Sequence, residues 1–317
     1  MIHGRVLAGM HGHEVVAVCT RNTERLAEAK ETLQPQYCFE RYEDLLACQD
    51  VDVISITTHW QDHYPAVVEA LKTGKHVFVE KPMAATAEQC DQILQAAAES
   101  TGKFMVGHIC RFDPRVAQAK EAIEQGRIGR VVSMHAKRNL PQAPGHIRLD
   151  KISPLVGDGI HDADMMMWFM GRAPSRVYAR NIRFNDFTYP DVGWAMLEFD
   201  DSAIGVVETN WGLPTNTPTV IDAQLTVCGS EGCLTIDNAN TGLSILDSQG
   251  TKMSDTTWWP QMHGRQWGVL AFELEYFADC IRCDRPVEVV TAEEAARAVK
   301  VMLTCEESAK QGVPLAM

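Results

Sequence analysis

The sequence predicts an α/β chain in two parts: a doubly wound parallel sheet, followed by an α+β half built on a mostly antiparallel open sheet. Three observations carry that prediction. Up to residue 109, short runs rich in Val and Ile alternate with helical periodicity, the pattern of βαβ units. From 130 to 247, strand-like runs follow one another with short turns, which antiparallel pairing allows and parallel pairing does not. At 76–82, His-Val-Phe-Val-Glu-Lys-Pro, an apolar run passes into an ionisable pair and then a proline, which cannot continue a central strand.

In the first half, Ile2, Val6, Leu7 and Met10 have helical spacing, closed by a His11-Gly12 turn. Residues 13–19 (HEVVAVC) read as a strand and 22–33 as a helix with Asn22 as its N-cap. Then come a strand at 51–58 (VDVISITT), a helix at 63–73 closed by Gly74, and a strand at 76–81. A helix at 86–100 and a strand at 103–109 (KFMVGHI) complete a nucleotide-binding domain assigned to 1–116. Such a domain should open with a strand and a Gly-rich turn, yet Met1 leads straight into a helix. The first strand and the glycine-rich phosphate loop are therefore expected to be missing, through a truncated or misassigned start or in a short form that has lost cofactor binding. In the strand order 3-2-1-4-5-6 that strand is central, so its absence leaves two half-sheets with unpaired edges.

The second half, 117–317, reads as a separate α+β domain. An amphipathic stretch at 114–126 leads into strand-like runs at 130–138, 175–183, 193–199, 203–211, 220–228, 232–237 and 242–247. Asp200-Asp201-Ser202 and Gly229-Ser230-Glu231-Gly232 are hairpin turn signals. Helices at 159–170, 265–283 and 291–311 are expected on one face of the sheet. The other face, with Trp194, Val206, Val207 and Trp211, is left either to a second copy of the chain, as a dimer or tetramer, or to solvent in a monomer.

Four places carry chemistry. Ligands of open α/β sheets lie beyond the carboxyl ends of the strands, which puts Lys81 in the crevice with Glu80 to orient it; the alternative is a surface Lys-Pro turn. At Cys19-Thr20-Arg21-Asn22 the first visible strand ends without the carboxylate that bonds ribose hydroxyls in NAD enzymes. Arg21 could pair with a 2′-phosphate, so NADP is slightly favoured over NAD, unless Arg21 is only a solvated helix-entry residue. At 157–164 (GDGIHDAD), His161, Asp164, Met165 and Trp168 share one helical face, while Asp158 and Asp162 are candidates for caps. The polar stretch 138–152 reads as a long loop in which Arg138, His146, Arg148 and Lys151 are candidate hydroxyl or anion contacts. Trp258, Trp259, His263 and Trp267 could cover a sugar face or form core.

The segments ISITTHWQDHYPAVVEALKTGKHVFVEKPMA, GHICRFDPR at 107–115, GDGIHDADMMMWFMG at 157–171 and TAEEAARAVK near the end occur in the order of one family. In them the chain resembles the Gfo/Idh/MocA oxidoreductases, which include glucose-fructose oxidoreductase and inositol dehydrogenases. The resemblance implies an NAD(P)-dependent enzyme moving a hydride between nicotinamide and a carbinol or carbonyl carbon of a sugar, sugar nucleotide or cyclitol. It implies Lys81 and His161 as catalytic residues, His161 for proton transfer. Cofactor contacts are implied at Thr20, Arg21, Asn22, Thr57, Thr58, His63, Glu80, Lys81 and Arg111, and substrate contacts at Arg138, His146, Arg148, Asp158 and His161. The family pattern has an aspartate four residues before the histidine; here that position is Gly157, and Asp158, the nearest carboxylate, is the candidate catalytic residue in its place. The resemblance also makes 117–317 the substrate-binding and oligomerisation domain. Retention of Lys81 with His161 favours an enzyme. Gly157 and the absent glycine loop favour a non-catalytic dinucleotide- or sugar-sensing relative.

Composition narrows the rest. The 317 residues, 45% apolar, suffice for two cores, and the net charge of −13 argues against nucleic acid or an anionic membrane as partner. No apolar run approaches membrane-spanning length. Ten cysteines without secretory context suggest thiols in a reducing cytoplasm. Cys280 and Cys283 form a lone C-x-x-C without zinc-ligand partners, so no metal is expected.

Overall fold

The computed structural model describes residues 1–317 except Asp201 and Gln249. In chain order the elements are α1 (Ile2–Gly9), β1 (Ala17–Cys19), α2 (Thr23–Leu33), β2 (Tyr37–Phe39), α3 (Tyr42–Ala47), β3 (Val53–Ile56), α4 (His63–Lys72), β4 (His76–Glu80), α5 (Ala87–Glu99) and β5 (Phe104–Gly107). Next come α6 (Pro114–Glu124), β6 (Val131–Pro141), α7 (Gln142–His146), α8 (Ile160–Met170), β7 (Arg176–Ile182), β8 (Val192–Phe199), β9 (Ala203–Leu213), β10 (Asp222–Gly229) and β11 (Cys233–Asp237). The chain ends with β12 (Ser244–Asp247), β13 (Gly250–Met253), β14 (Gln261–Met262), β15 (Arg265–Gln266), α9 (Val269–Arg282), α10 (Ala292–Gln311) and β16 (Leu315–Ala316). No helix among the described residues is long and apolar enough to cross a membrane.

Two compact units result: Met1–Phe112 with Thr257–Ala296, and Asp113–Thr256 with Arg297–Met317. In the first, the parallel strands fall into two sheets, β1-β2 and β3-β4-β5. Local signals set the helices as the sequence predicts: Asn22 accepts a bond from the Arg25 N–H, and the Thr86 hydroxyl accepts one from Gln89. β1 is shorter than the predicted strand at 13–19 because only Ala17–Cys19 finds a partner, in β2. β2 and α3 have no counterpart in the sequence reading: Tyr37-Cys38-Phe39 has too short an apolar signal and becomes a strand through pairing.

The helix predicted at 265–283 departs most from expectation. It forms as α9 but belongs to the first unit, not to the face of the antiparallel sheet. Leu270, Ala271, Leu274 and Phe277 share one core with Val6 and Met10 of α1, Phe78 of β4 and Met105 of β5. The Phe78 and Phe277 rings meet at 6.0 Å. Trp258 is buried in the same unit.

The second unit carries a seven-stranded sheet in the order β11-β10-β6-β9-β8-β7-β16, antiparallel throughout except for β6 beside β9. The Gly229–Gly232 turn joins β10 to β11, with the Gly229 N–H donating to the Gly232 carbonyl. In the β8–β9 turn Asp200 adopts a left-handed conformation; Asp201 lies outside the described residues. The run at 242–247 forms β12, which pairs with β13 apart from the main sheet. Alternation along β9 sorts the face residues. Val207 and Trp211 point inward with Gly205, where a Cβ would lie 2.6 Å from Met166 of α8, whereas Ile204 and Val206 point outward. Val207 and Trp211 therefore do not belong to the open face expected for a second copy. The polar stretch 138–152 is not a single loop either: β6 runs through Arg138 to Pro141, and α7 follows.

Candidate active site

In the first unit the register Ile56–Val79–Val106 aligns three parallel strands, so Thr57, Glu80 and Gly107 stand along one carboxyl edge, with Thr58, Lys81 and His108 following. Glu80 is the junction. Its Oε2 accepts the Lys81 backbone N–H at 3.2 Å, and its Oε1 lies 2.9 Å from His3 Nε2. The other His3 nitrogen is 3.1 Å from the Ser55 hydroxyl of β3. Burial pulls the Glu80 carboxyl upward, but the His3 hydrogen bond and charge, with the charge and amide of Lys81, outweigh it and hold the group below the ordinary carboxylate range. Glu80 thus fixes the main chain of Lys81, whose side chain is half-buried at the edge.

The Lys81–Pro82 peptide is cis. His63, from the start of α4, reaches across the same edge: Nδ1 lies 2.8 Å from the Pro82 carbonyl and Nε2 3.2 Å from the Thr58 carbonyl. Burial lowers its basicity against the pull of those two carbonyls. Both ring nitrogens of this sequence-predicted cofactor contact therefore face backbone, and His63 is a strut between the chain after β3 and the chain after β4. Arg111 is also occupied: it is buried and donates to the Val289 carbonyl at 2.6 Å and to Glu294 at 2.8 Å.

At the end of β1, the Thr20 hydroxyl accepts the Asn22 N–H at 3.2 Å, Asn22 caps α2, and Arg21 is exposed beside them. Burial, with the charges of Glu43 and Asp44 that are also felt at this strand end, pushes the Cys19 thiol up. Among the described residues no glycine stands in a turn between a parallel strand and the helix after it, so the pyrophosphate-binding part of the pattern is not supplied there. Glu273 of α9 lies in the same unit, fully buried, with neither carboxylate oxygen hydrogen-bonded. Burial and then the nearby Glu80 charge push its carboxyl well above the ordinary range.

In the second unit, Leu155–Gly159 winds as one wide π-helical turn ahead of α8. The N-cap position of α8 is Gly159, which carries no side chain and is not extended, because the wide turn runs straight into the helix. Asp162 instead receives both Nε and Nη2 of Arg138, at 3.1 and 2.8 Å, in a buried bidentate pair. Arg138 is thus a strand residue holding α8 to β6. Asp158 accepts the Trp211 indole N–H at 3.0 Å and has Arg148 Nη1 3.8 Å away. His161 and Asp164 are both buried on α8. His146, on α7, lies against the Phe187 ring at 4.7 Å.

The structure therefore gathers Glu80, Lys81, Thr58 and His63 on one edge, and Arg148, Asp158 and Trp211 in one cluster. His3 and Glu273 escaped the sequence reading because each lies on an ordinary amphipathic helix and gains its partner or its isolation only in three dimensions. For Trp211 a signal existed: it continues the inward parity of Val207 and Thr209 along β9.

Two family models match the chain, "Oxidoreductase family, NAD-binding Rossmann fold" over 2–108 and "GFO/IDH/MocA C-terminal domain" over 116–235. Among relatives, the scyllo-inositol 2-dehydrogenase (NAD(+)) of Bacillus subtilis is 27% identical over 279 residues, 86% of this chain and 79% of that protein. The myo-inositol 2-dehydrogenase of Thermotoga maritima is 27% identical over 265 residues, 80% of this chain and 77% of that protein. In fold, the crystal structure of scyllo-inositol dehydrogenase from Lactobacillus casei with bound NAD(H) and scyllo-inositol superposes with a TM-score of 0.84 at 21% identity, covering 99% of this chain and 95% of the other.

The burial of Glu273 has a measurable consequence. A carboxyl raised by folding stabilises fully below its unfolded pKa, about 4.3, and that contribution is lost as pH rises through the folded value. Glu273→Gln keeps the shape without the ionisation. It is expected to match the wild type near pH 4 in urea unfolding and to exceed it by about 1–3 kcal/mol in neutral to alkaline buffer. A pH-independent difference would show that Glu273 does not titrate with folding.

Proposed function

Because the chain belongs to the Gfo/Idh/MocA oxidoreductase family, we propose that it oxidises a ring hydroxyl of a cyclitol, with related sugars as the wider class, using a nicotinamide dinucleotide. The observation that carries the reading is the alignment of 86% of the chain with an NAD(+)-dependent scyllo-inositol dehydrogenase. Bound nicotinamide supplies the hydride acceptor. The chain's own residues must handle the proton. Loss of hydride from a carbinol carbon leaves a carbonyl only if the hydroxyl proton departs, and His161 is the acceptor for it. Lys81 is assigned the stabilisation of the negative charge that develops in the reaction. Glu80 holds the Lys81 backbone through its amide, and Asp158, which accepts the Trp211 indole N–H, is the carboxylate assigned to serve the proton-transfer residue.

Thr20, Arg21 and Asn22 take the adenosine ribose, and Thr57, Thr58, Glu80 and Lys81 line the strand ends toward the nicotinamide. NADP is slightly favoured, since Thr20 is uncharged and the exposed Arg21 can meet a 2′-phosphate. The open sheet face, with Trp194 and Ile204 both exposed, is assigned to a second copy of the chain.

Reduction of NAD or NADP with inositol stereoisomers is the direct assay. Lys81→Ala and His161→Asn should each lower kcat by about 100-fold or more with melting temperature unchanged; near-normal turnover in either removes that residue from the chemistry. Arg21→Ala should weaken NADPH binding about tenfold and leave NADH alone. A clear wild-type preference for NADH would refute the NADP assignment. Trp194→Lys should reduce the solution mass by light scattering to that of one chain, and a wild type that is already monomeric would remove the interface.

A further inference from the structure

β9 delivers Trp211 onto the wide turn before α8, and three observations meet there. A Cβ built on Gly157 would lie 2.7 Å from Trp211 Cη2 and 2.9 Å from Cζ2, so the ring occupies the space any side chain at 157 would need. The indole N–H donates to Asp158 Oδ2 at 3.0 Å, and the ring is 1% exposed. The Arg148 guanidinium sits 5.8 Å from the centre of that ring, with Nη1 3.8 Å from the same Oδ2. The close approach is built in from the other side as well: a Cβ on Gly145 would lie 2.4 Å from the Trp211 carbonyl oxygen.

A buried indole N–H needs an acceptor, and a carboxylate makes the stronger, charge-assisted bond. Arg148 at 3.8 Å is beyond hydrogen-bond range, so it contributes charge to Asp158 while its half-exposed fork stays available on the solvent side. Trp211 therefore supplies a directional constraint on the carboxylate, which Arg148 at its distance does not. Gly157 is the steric counterpart, since the ring and a residue-157 side chain exclude one another.

We propose that Trp211 is a positioning residue for the reaction: it fills the space a side chain at 157 would take and fixes Asp158, so that the carboxylate serving His161 is supplied from position 158. The inference rests on the reading of His161 as proton acceptor. On this account glycine at 157 is the condition for the tryptophan and not a sign of lost catalysis.

The test is a double-variant cycle on the full chain. Trp211→Phe keeps a ring in the core but removes the N–H and the carbons over Gly157. It should lower kcat about tenfold in the wild-type background with KM within about twofold, and change kcat less than about twofold when Asp158→Asn is already present. Gly157→Asp alone should lose both stability and turnover, and adding Trp211→Phe should recover part of each. An equal loss from Trp211→Phe in both backgrounds would overturn the positioning role and leave only packing. A substrate-free readout separates this from the parent reading. The Trp211 indole N–H resonance, identified by its disappearance in Trp211→Phe, should move in Asp158→Asn, and a fixed resonance overturns the hydrogen bond. Absence of turnover by the wild-type chain would sink the reading of His161, while the resonance and the rescue of Gly157→Asp stability would still decide the interlock.

Discussion

The Glu80 carboxylate is the constraint on which the first unit's chemistry depends. It ends β4, accepts the amide of Lys81, and meets His3 of α1, which itself reaches Ser55 of β3. One anion thereby joins two parallel strands, the first helix and the backbone of the candidate catalytic lysine. Its ionised state is secured by those partners against the cost of burial, so the group stays an acceptor where a neutral carboxyl would lose a bond. His63 completes the edge from between the carbonyls of Thr58 and Pro82, its single N–H donating to one of them in the neutral ring that burial favours. Below the edge, Phe78 and Met105 bury against α9 and α1, and this apolar contact keeps the strand ends in place.

The second unit solves a different problem, which is how to hold ionisable groups in a helix that is buried almost throughout. Two of the anions have a specific cation or donor. Arg138 takes Asp162 in a fork, tying α8 to β6, and Trp211 takes Asp158, tying the wide turn to β9. The π-helical turn and its glycines let the chain approach the sheet closely: a Cβ on Gly159 would sit 3.2 Å from both Val207 and Thr209. Wide turns of this kind recur at functional sites because they redirect a side chain without ending the helix.

Much of this was legible beforehand where local physics decides. Asn22 as a cap, the strand at 76–80, the buried helix carrying His161 and the succession of antiparallel strands all follow from short-range pattern. Beyond the short elements β2 and α3, the readings that the fold revised were those about what a side chain touches. Asp158 and Asp162 look like caps in a one-dimensional view because acidic residues before an apolar helix usually are. Arg138 looks like a loop residue because its neighbours are polar. The helix at 265–283 has an apolar stripe whose partner nothing local specifies, and it found α1 and β4.

The sequence by itself therefore determined the class of the longer elements and which ionisable groups are candidates for chemistry, since both depend on periodicity, proline and glycine placement, and residue type. The tertiary structure alone decided the pairing: that Glu80 serves the Lys81 amide and His3, that Arg138 is taken by Asp162, and that a tryptophan far along the chain fills the space over Gly157. Those contacts join residues distant in sequence, and burial makes each choice consequential, because a polar group withdrawn from water must find its partner in the fold.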